Sequence, residues 1–188
     1  MRVISGQARG KRLKAPSGLN TRPITDMIKE ALFNVWGTRV PGSVFLDLFA
    51  GSGSVGIEAL SRGAARVVFV DNSGEAVKII KDNLQNCGLD NNFEIYRRDV
   101  MKALELLKRH GERFDLIYVD PPFTNDKIFY PVMVVLDEVD ILRTDGIVVI
   151  RTPHKKTMPT TFNRLSVYQS RNYGESTLHY YCRHEEDT

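Results

Sequence analysis

Val44-Phe45-Leu46-Asp47-Leu48-Phe49 runs without interruption into Ala50-Gly51-Ser52-Gly53-Ser54-Val55-Gly56. The first six residues are apolar but for one acid and read as a buried strand. The rest is a Gly-x-Gly-x-x-Gly turn opening a helix that reads from about Ser54 to Arg62 and stops at Gly63. In such a strand-turn-helix unit the first glycine permits the sharp turn. The second lets a ligand approach the backbone, and the third lets helix and strand pack closely. Asp71 follows twenty residues after Gly51, just past the next apolar run, where a carboxylate accepts hydrogen bonds from ribose hydroxyls. Together these residues predict a site for a nucleoside-containing cofactor, with a dinucleotide and S-adenosylmethionine as the two candidates.

The same alternation continues on both sides. Downstream, Arg66 to Val70 reads as a strand and Ser73 to Cys87 as a helix with Ala76, Ile79, Ile80 and Leu84 inward. Phe93 to Arg97, Val100 to His110, Phe114 to Val119, Ile128 to Val139 and Ile147 to Arg151 repeat strand and helix in turn. Upstream, Thr25 is placed to cap a helix in which Ile28, Ala31, Leu32, Val35 and Trp36 recur at helical spacing up to Pro41-Gly42. This order predicts an α/β fold, a parallel sheet with helices on both faces and ligands beyond the carboxyl ends of its strands. Leu165 to Gln169 and Thr177 to Cys182, joined by Ser170-Arg171-Asn172-Tyr173-Gly174, read instead as an antiparallel hairpin.

A chain of 188 residues suits one domain of ordinary size with an appendage. We divide it into a basic N-terminal arm and helix, 1–40, and a main domain, 41–188. With 42% hydrophobic and 26% charged residues it is neither disordered nor fibrous. Its apolar runs fall far short of the roughly 20 residues of a membrane span, and no apolar stretch follows the basic start, so a cytoplasmic protein is expected. Cys87 and Cys182 stand alone, without a Cys-x-x-Cys pair or a His cluster, so neither a disulfide framework nor a metal site is expected.

Charge is distributed unevenly. The first 40 residues hold eight Lys or Arg against two acids. Arg2, Arg9, Lys11, Arg12, Lys14 and Arg22 precede the first acid, and Gly6, Gly10 and Gly18 interrupt any helix there. Such an arm is suited to nucleic-acid phosphates, giving affinity that weakens steeply with salt.

Asp47, four residues before Gly51, decides between the two cofactors, because a carboxylate there repels a pyrophosphate and suits the ammonium and sulfonium of S-adenosylmethionine. Asp99, after the third strand, is placed to accept from an adenine amino group with Val100 against the ring, and equally to cap the helix that follows. Acids after three successive strands favour the methyl donor. After the fourth strand comes Asp120-Pro121-Pro122-Phe123. A base's exocyclic amine is a poor nucleophile, its lone pair delocalised into the ring, and needs acceptors that hold its N–H groups. Asp120 and the Pro121 carbonyl suit that task. The two prolines fix the acceptors in advance, and Phe123 offers a stacking face.

At this point the chain resembles the bacterial small-subunit (16S) ribosomal RNA guanine-N2 methyltransferases of the RsmD type. The likeness rests on Met1-Arg2-Val3-Ile4-Ser5-Gly6 with Arg9-Gly10, and on Thr21-Arg22-Pro23 with Thr25-Asp26 and Lys29-Glu30-Ala31-Leu32-Phe33-Asn34. Asp47 through Gly53, Gly56, Glu58 to Ala64 and Asp120-Pro121-Pro122-Phe123 complete it. The resemblance implies a Rossmann-like class I methyltransferase fold, its seven-stranded, mostly parallel sheet ending in an antiparallel strand. It also implies S-adenosylmethionine as cofactor, with Asp47, Phe49, Gly51, Gly53, Asp71 and Asp99 lining its site. It further implies guanine N2 in RNA of the assembling 30S particle as acceptor, with no metal, and we expect a monomer. Phe123 stands where the family often has Tyr, and the tail after Tyr181 has no place in the family pattern. Three other readings stay open: an amino-methyltransferase acting on another RNA or on DNA adenine or cytosine, a nicotinamide-dependent oxidoreductase, and a non-catalytic RNA-binding module. Asp47 and scattered His110, His154, His179 and His184 speak against the oxidoreductase. The intact glycine turn speaks against the binding module.

Overall fold

The computed structural model describes residues 1–18 and 22–184; Thr21 and the last four residues of the tail lie outside them. Helix α1 (Asp26–Trp36) precedes β1 (Val44–Leu48), α2 (Ser54–Ser61), β2 (Arg66–Asp71), α3 (Gly74–Asn86) and β3 (Phe93–Arg97). There follow α4 (Val100–Arg109), β4 (Phe114–Val119), α5 (Phe129–Val139), β5 (Leu142–Pro153), β6 (Leu165–Tyr173) and β7 (Ser176–Arg183). The sheet order is β3-β2-β1-β4-β5-β7-β6. Strands β1 to β5 are parallel, and β7 runs antiparallel to both β5 and β6. From β1 the chain moves outward to β3, then returns to β4 on the other side of β1. Winding therefore reverses between β1 and β4, and a crevice opens at their carboxyl ends.

Two stretches are longer than their sequence suggests. Strand β5 begins at Leu142 rather than Ile147, because a register shift between Phe114 and Leu116 lets Leu142 pair with Phe114 before Ile147 meets Leu116. In the terminal hairpin, Ser170 to Tyr173 belong to β6 instead of the turn. Tyr173 pairs with Ser176, and Gly174 at φ +56 closes the two-residue loop. The polar residues that looked like a turn lie on a strand with much of its surface in solvent.

Helix α1 starts where the sequence placed it, with Thr25 Oγ1 accepting from the Ile28 N–H at 3.3 Å. Its buried stripe is Ile28, Lys29, Leu32, Phe33 and Trp36, so a lysine takes a place expected for an apolar residue, while Ala31 and Val35 are only half-buried. Lys29 Nζ donates to the Arg2 carbonyl at 2.6 Å and Ser54 Oγ at 2.9 Å, and lies 3.3 Å from Glu58 Oε2. All three ammonium protons find acceptors. Burial lowers the Lys29 pKa, and the Glu58 carboxylate opposes the shift. The other Glu58 oxygen is 2.8 Å from Arg62 Nε, and the Ile4 and Ser5 N–H groups donate to this carboxylate at 2.9 and 3.0 Å.

The N-terminal arm is consequently a folded hook. Val3 and Lys11 pair through the Val3 N–H, Leu13 donates to the Met1 carbonyl, and Arg2 and Arg12 form an antiparallel bridge. Val3, Ala8 and Leu13 are buried in the same cluster as Trp36, Phe45 and Tyr118, leaving Arg9, Lys11 and Arg12 outside. Gly6 sits where the hook crosses α2 at φ +85, and a Cβ there would lie 1.8 Å from the Ser61 carbonyl oxygen. Gly6→Ala should therefore cost more than the roughly 1–2 kcal/mol of a left-handed alanine alone, seen as a lowered Tm and faster proteolysis at the N-terminus. An unchanged melt would contradict this packing. Among the described residues, no helix is long and apolar enough to cross a membrane.

Candidate active site

The crevice between β1 and β4 holds a cavity of about 400 Å³. Its floor is the turn after β1. Phe49 bends the chain at φ +57 and Gly51 at φ +56, and both line the cavity. The Gly51 N–H donates to Asp71 Oδ2 at 2.8 Å and the Ser73 N–H to Asp71 Oδ1 at 2.9 Å. Asp71 thus ties the glycine turn to the start of α3, and each of its oxygens keeps a second lone pair for a ligand.

The other two glycines act within the protein. A Cβ at Gly56 would lie 2.3 Å from the Phe69 ring, the close helix–strand contact expected of that position. Gly53 is packed by protein on its Cβ side. It lies at φ +75 with Ile57 and Ile80 within 3.3 Å of a would-be Cβ, and it is absent from the cavity wall.

Asp47 lies beneath the turn, 2% exposed, with Oδ2 accepting from the Gly56 N–H at 3.0 Å. Burial pushes its carboxyl well above the usual range, and Asp120 and Asp71 add to the shift. A cation in the cavity would restore the ionised form; a phosphate would oppose it. Asp99 caps α4, accepting from the Lys102 N–H at 3.2 Å, and also borders the cavity beside buried Val100. The capping bond leaves Asp99 at the cavity wall, where it is also placed to meet a ligand. Asp47, Asp71 and Asp99 at one end of the cavity fit a cationic, phosphate-free nucleoside such as S-adenosylmethionine.

At the other end stands Asp120-Pro121-Pro122-Phe123. Asp120, its side chain 16% exposed, is held by Arg151 Nε at 2.8 Å on Oδ1 and by the Tyr118 hydroxyl at 3.2 Å on Oδ2. Burial raises the Asp120 pKa, while Arg151 and the Tyr118 hydroxyl pull it back down. The Arg151 guanidinium lies 5.0 Å from the Phe123 ring centroid. Neither Tyr118 nor Arg151 was expected from the sequence. The available signal was register: Val119 pairs with Ile150, so Asp120 and Arg151 each follow immediately at the carboxyl edges of neighbouring strands.

The six basic residues of the arm do not form one row. Arg2 pairs with Asp26 at 3.3 Å, Lys14 with Asp82 at 3.7 Å, and Arg22 with Glu175. Arg9, Lys11 and Arg12 are exposed and form no ion pair among the described residues. Arg22 also borders the cavity, so the arm reaches the rim of the site.

Residues 1–182 match the family described as conserved hypothetical protein 95. The chain is 39% identical over 93% of its length, and 94% of the relative's, to the "Putative rRNA methyltransferase YlbH" of Bacillus subtilis (strain 168). It is 27% identical over 97% of its length to the "Ribosomal RNA small subunit methyltransferase D" of Escherichia coli (strain K12), covering 90% of that relative. The solved structure of a hypothetical protein from Thermus thermophilus superposes with a TM-score of 0.84 at 32% identity, covering 96% of this chain and 98% of that one.

Proposed function

The chain belongs to the conserved hypothetical protein 95 family, and from that premise we propose that it methylates the N2 amine of a guanine in small-subunit (16S) ribosomal RNA, using S-adenosylmethionine. One observation carries the chemistry: an acid-lined cavity, whose two arginines Arg22 and Arg151 are each paired with a carboxylate, opens directly onto Asp120 and Phe123. The names of the relatives support the RNA class. When bound, the cofactor supplies an electrophilic sulfonium methyl. Asp120 accepts from an N–H of the guanine amine and aims its lone pair along the line of displacement. Pro121 and Pro122 hold that acceptor before the base arrives, and stacking on Phe123 contributes about 1–3 kcal/mol. Asp120 also takes, or relays to solvent, the proton that the amine gives up on being methylated.

Residues 1–40 serve as the RNA-contacting part and 41–188 as the catalytic domain of a cytoplasmic monomer, with RNA of the assembling 30S particle as substrate. Arg9, Lys11 and Arg12 are the contacts with free charge. Reversing all three should weaken RNA binding and flatten its dependence on log salt by about 2–3 units, at just under one unit for each phosphate no longer neutralised. An unchanged slope, measured by filter binding, would remove the hook from the interface. The reaction itself is tested by offering labelled methyl donor to undermodified 30S particles, naked small-subunit RNA and duplex DNA. Label recovered as N2-methylguanosine supports the reading, and label only in DNA overturns it.

A further inference from the structure

Building on that reading of the reaction, we infer that Arg151 is a positioning residue that fixes Asp120 and Phe123 together and joins them to the N-terminal arm. Four directions of its guanidinium are occupied. Nε donates to Asp120 Oδ1 at 2.8 Å, Nη1 to Ser176 Oγ at 3.4 Å, and Nη2 to the Arg22 carbonyl, while the plane lies over the Phe123 ring. Its side chain is 5% exposed. These contacts span the arm, the β4 loop, β5 and β7. With the guanidinium over it and Phe129 at 6.2 Å, the Phe123 ring is held in one orientation at the cavity wall. The guanidinium's bond to Oδ1 also orients the carboxylate, so the base amine meets a fixed oxygen rather than a rotating group. Arg22 is itself held by Glu175 beside the hairpin turn, so an RNA strand drawn onto the arm presses on the backbone that Arg151 grips.

The groups facing Asp120 are the Tyr118 hydroxyl on its own strand, Arg151 on β5 and Asp47 on β1, with the Arg22–Glu175 pair beyond at the rim. Arg151 is the sole cation in direct contact with it among the described residues. Removing that charge leaves burial, which favours the protonated carboxyl, opposed by the Tyr118 hydroxyl alone among the groups that lower it.

The test uses the full chain with Arg151→Gln and Arg151→Lys. The Asp120 carboxyl is followed by carbon-13 NMR titration without RNA or cofactor, and kcat, KM and donor affinity are measured in parallel. Arg151→Gln should raise the Asp120 pKa by at least one unit and move the acid limb of kcat to the same extent. It should lower kcat at least 30-fold, with KM for RNA and donor affinity within about threefold. Arg151→Lys should return the titration toward wild type but recover kcat only partly, since a lysine has no planar fork to reach Arg22 and cover Phe123. If Arg151→Gln does not fold, the lysine variant decides. A tenfold loss of kcat with an unchanged melt supports the assignment, and wild-type kcat overturns it. Titration and kcat both unchanged in Arg151→Gln also overturn it. A wild-type protein that titrates as described yet methylates no RNA would instead refute the reaction and leave Arg151's hold on Asp120 standing.

Discussion

Asp120→Asn is expected to lose methyl transfer by at least two orders of magnitude while donor binding stays within about threefold. A hundredfold loss corresponds to about 2.7 kcal/mol of transition-state stabilisation. That is a reasonable share for a charged acceptor that both aims the amine and balances the positive charge developing on it. Asparagine keeps the shape and one acceptor oxygen but removes the charge. Donor binding should survive because the acids at the cofactor end of the cavity are Asp47, Asp71 and Asp99. Asp120→Ala is a harsher variant. It strands the Arg151 cation, 5% exposed, without its carboxylate, so its loss of activity would mix chemistry with destabilisation. Single-turnover transfer together with calorimetric donor binding separates the two effects. Near-normal turnover in Asp120→Asn would end the proposed role. In the wild type, burial raises the Asp120 pKa, so activity should fail on the acid side at a higher pH than an ordinary carboxylate would give.

Lys29→Met is expected to have the largest effect on stability. It leaves Glu58, which is 0% exposed, facing Arg62 and two backbone N–H groups without its buried cation. Breaking a buried pair from one side costs about 3–5 kcal/mol. At about 2–4 °C per kcal/mol for a chain of this size, Tm should fall by about 6–20 °C. The double variant Lys29→Met with Glu58→Gln should recover part of that loss, because the uncompensated charge is gone. It should not recover all of it, since Arg2 and Ser54 still lose a donor. Thermal melts of the three variants check the cycle, and additive losses would mean that the pair is not coupled.

Much of this architecture could be read in the chain because it rests on local rules. The glycine turn, the Thr25 cap and the alternation of strand and helix each depend on neighbours in sequence. Gly56 has the close helix–strand contact its position suggests, and the strand it meets is β2, the next one in the chain, through Phe69 and Val67. Part of the crowding at Gly53 comes from Ile80, which belongs to a different unit and is not apparent from the turn itself. Lys29 was hidden because a helical stripe is judged by apolarity, and its carboxylate partner lies 29 residues away. Arg151 was hidden for a related reason: its significance arises only once β4 and β5 are known to be neighbours in a fixed register. Asp120 needed no partner to be noticed, because two prolines and an aromatic residue marked it.

The docking of the hook also bears on the order in which the molecule comes together during synthesis. Residues 4, 5 and 8 are among the first made, yet their partners Glu58 and Ser61 follow more than 50 positions later. Lys14 waits longer, for Asn83, and Arg22 longest, for Glu175. A growing chain therefore carries its cationic segment undocked until α2 has emerged, and cannot close the rim over the cavity until the last hairpin is complete. The gateway is thus assembled from the two ends of the chain, and its closure reports that synthesis has reached the last hairpin.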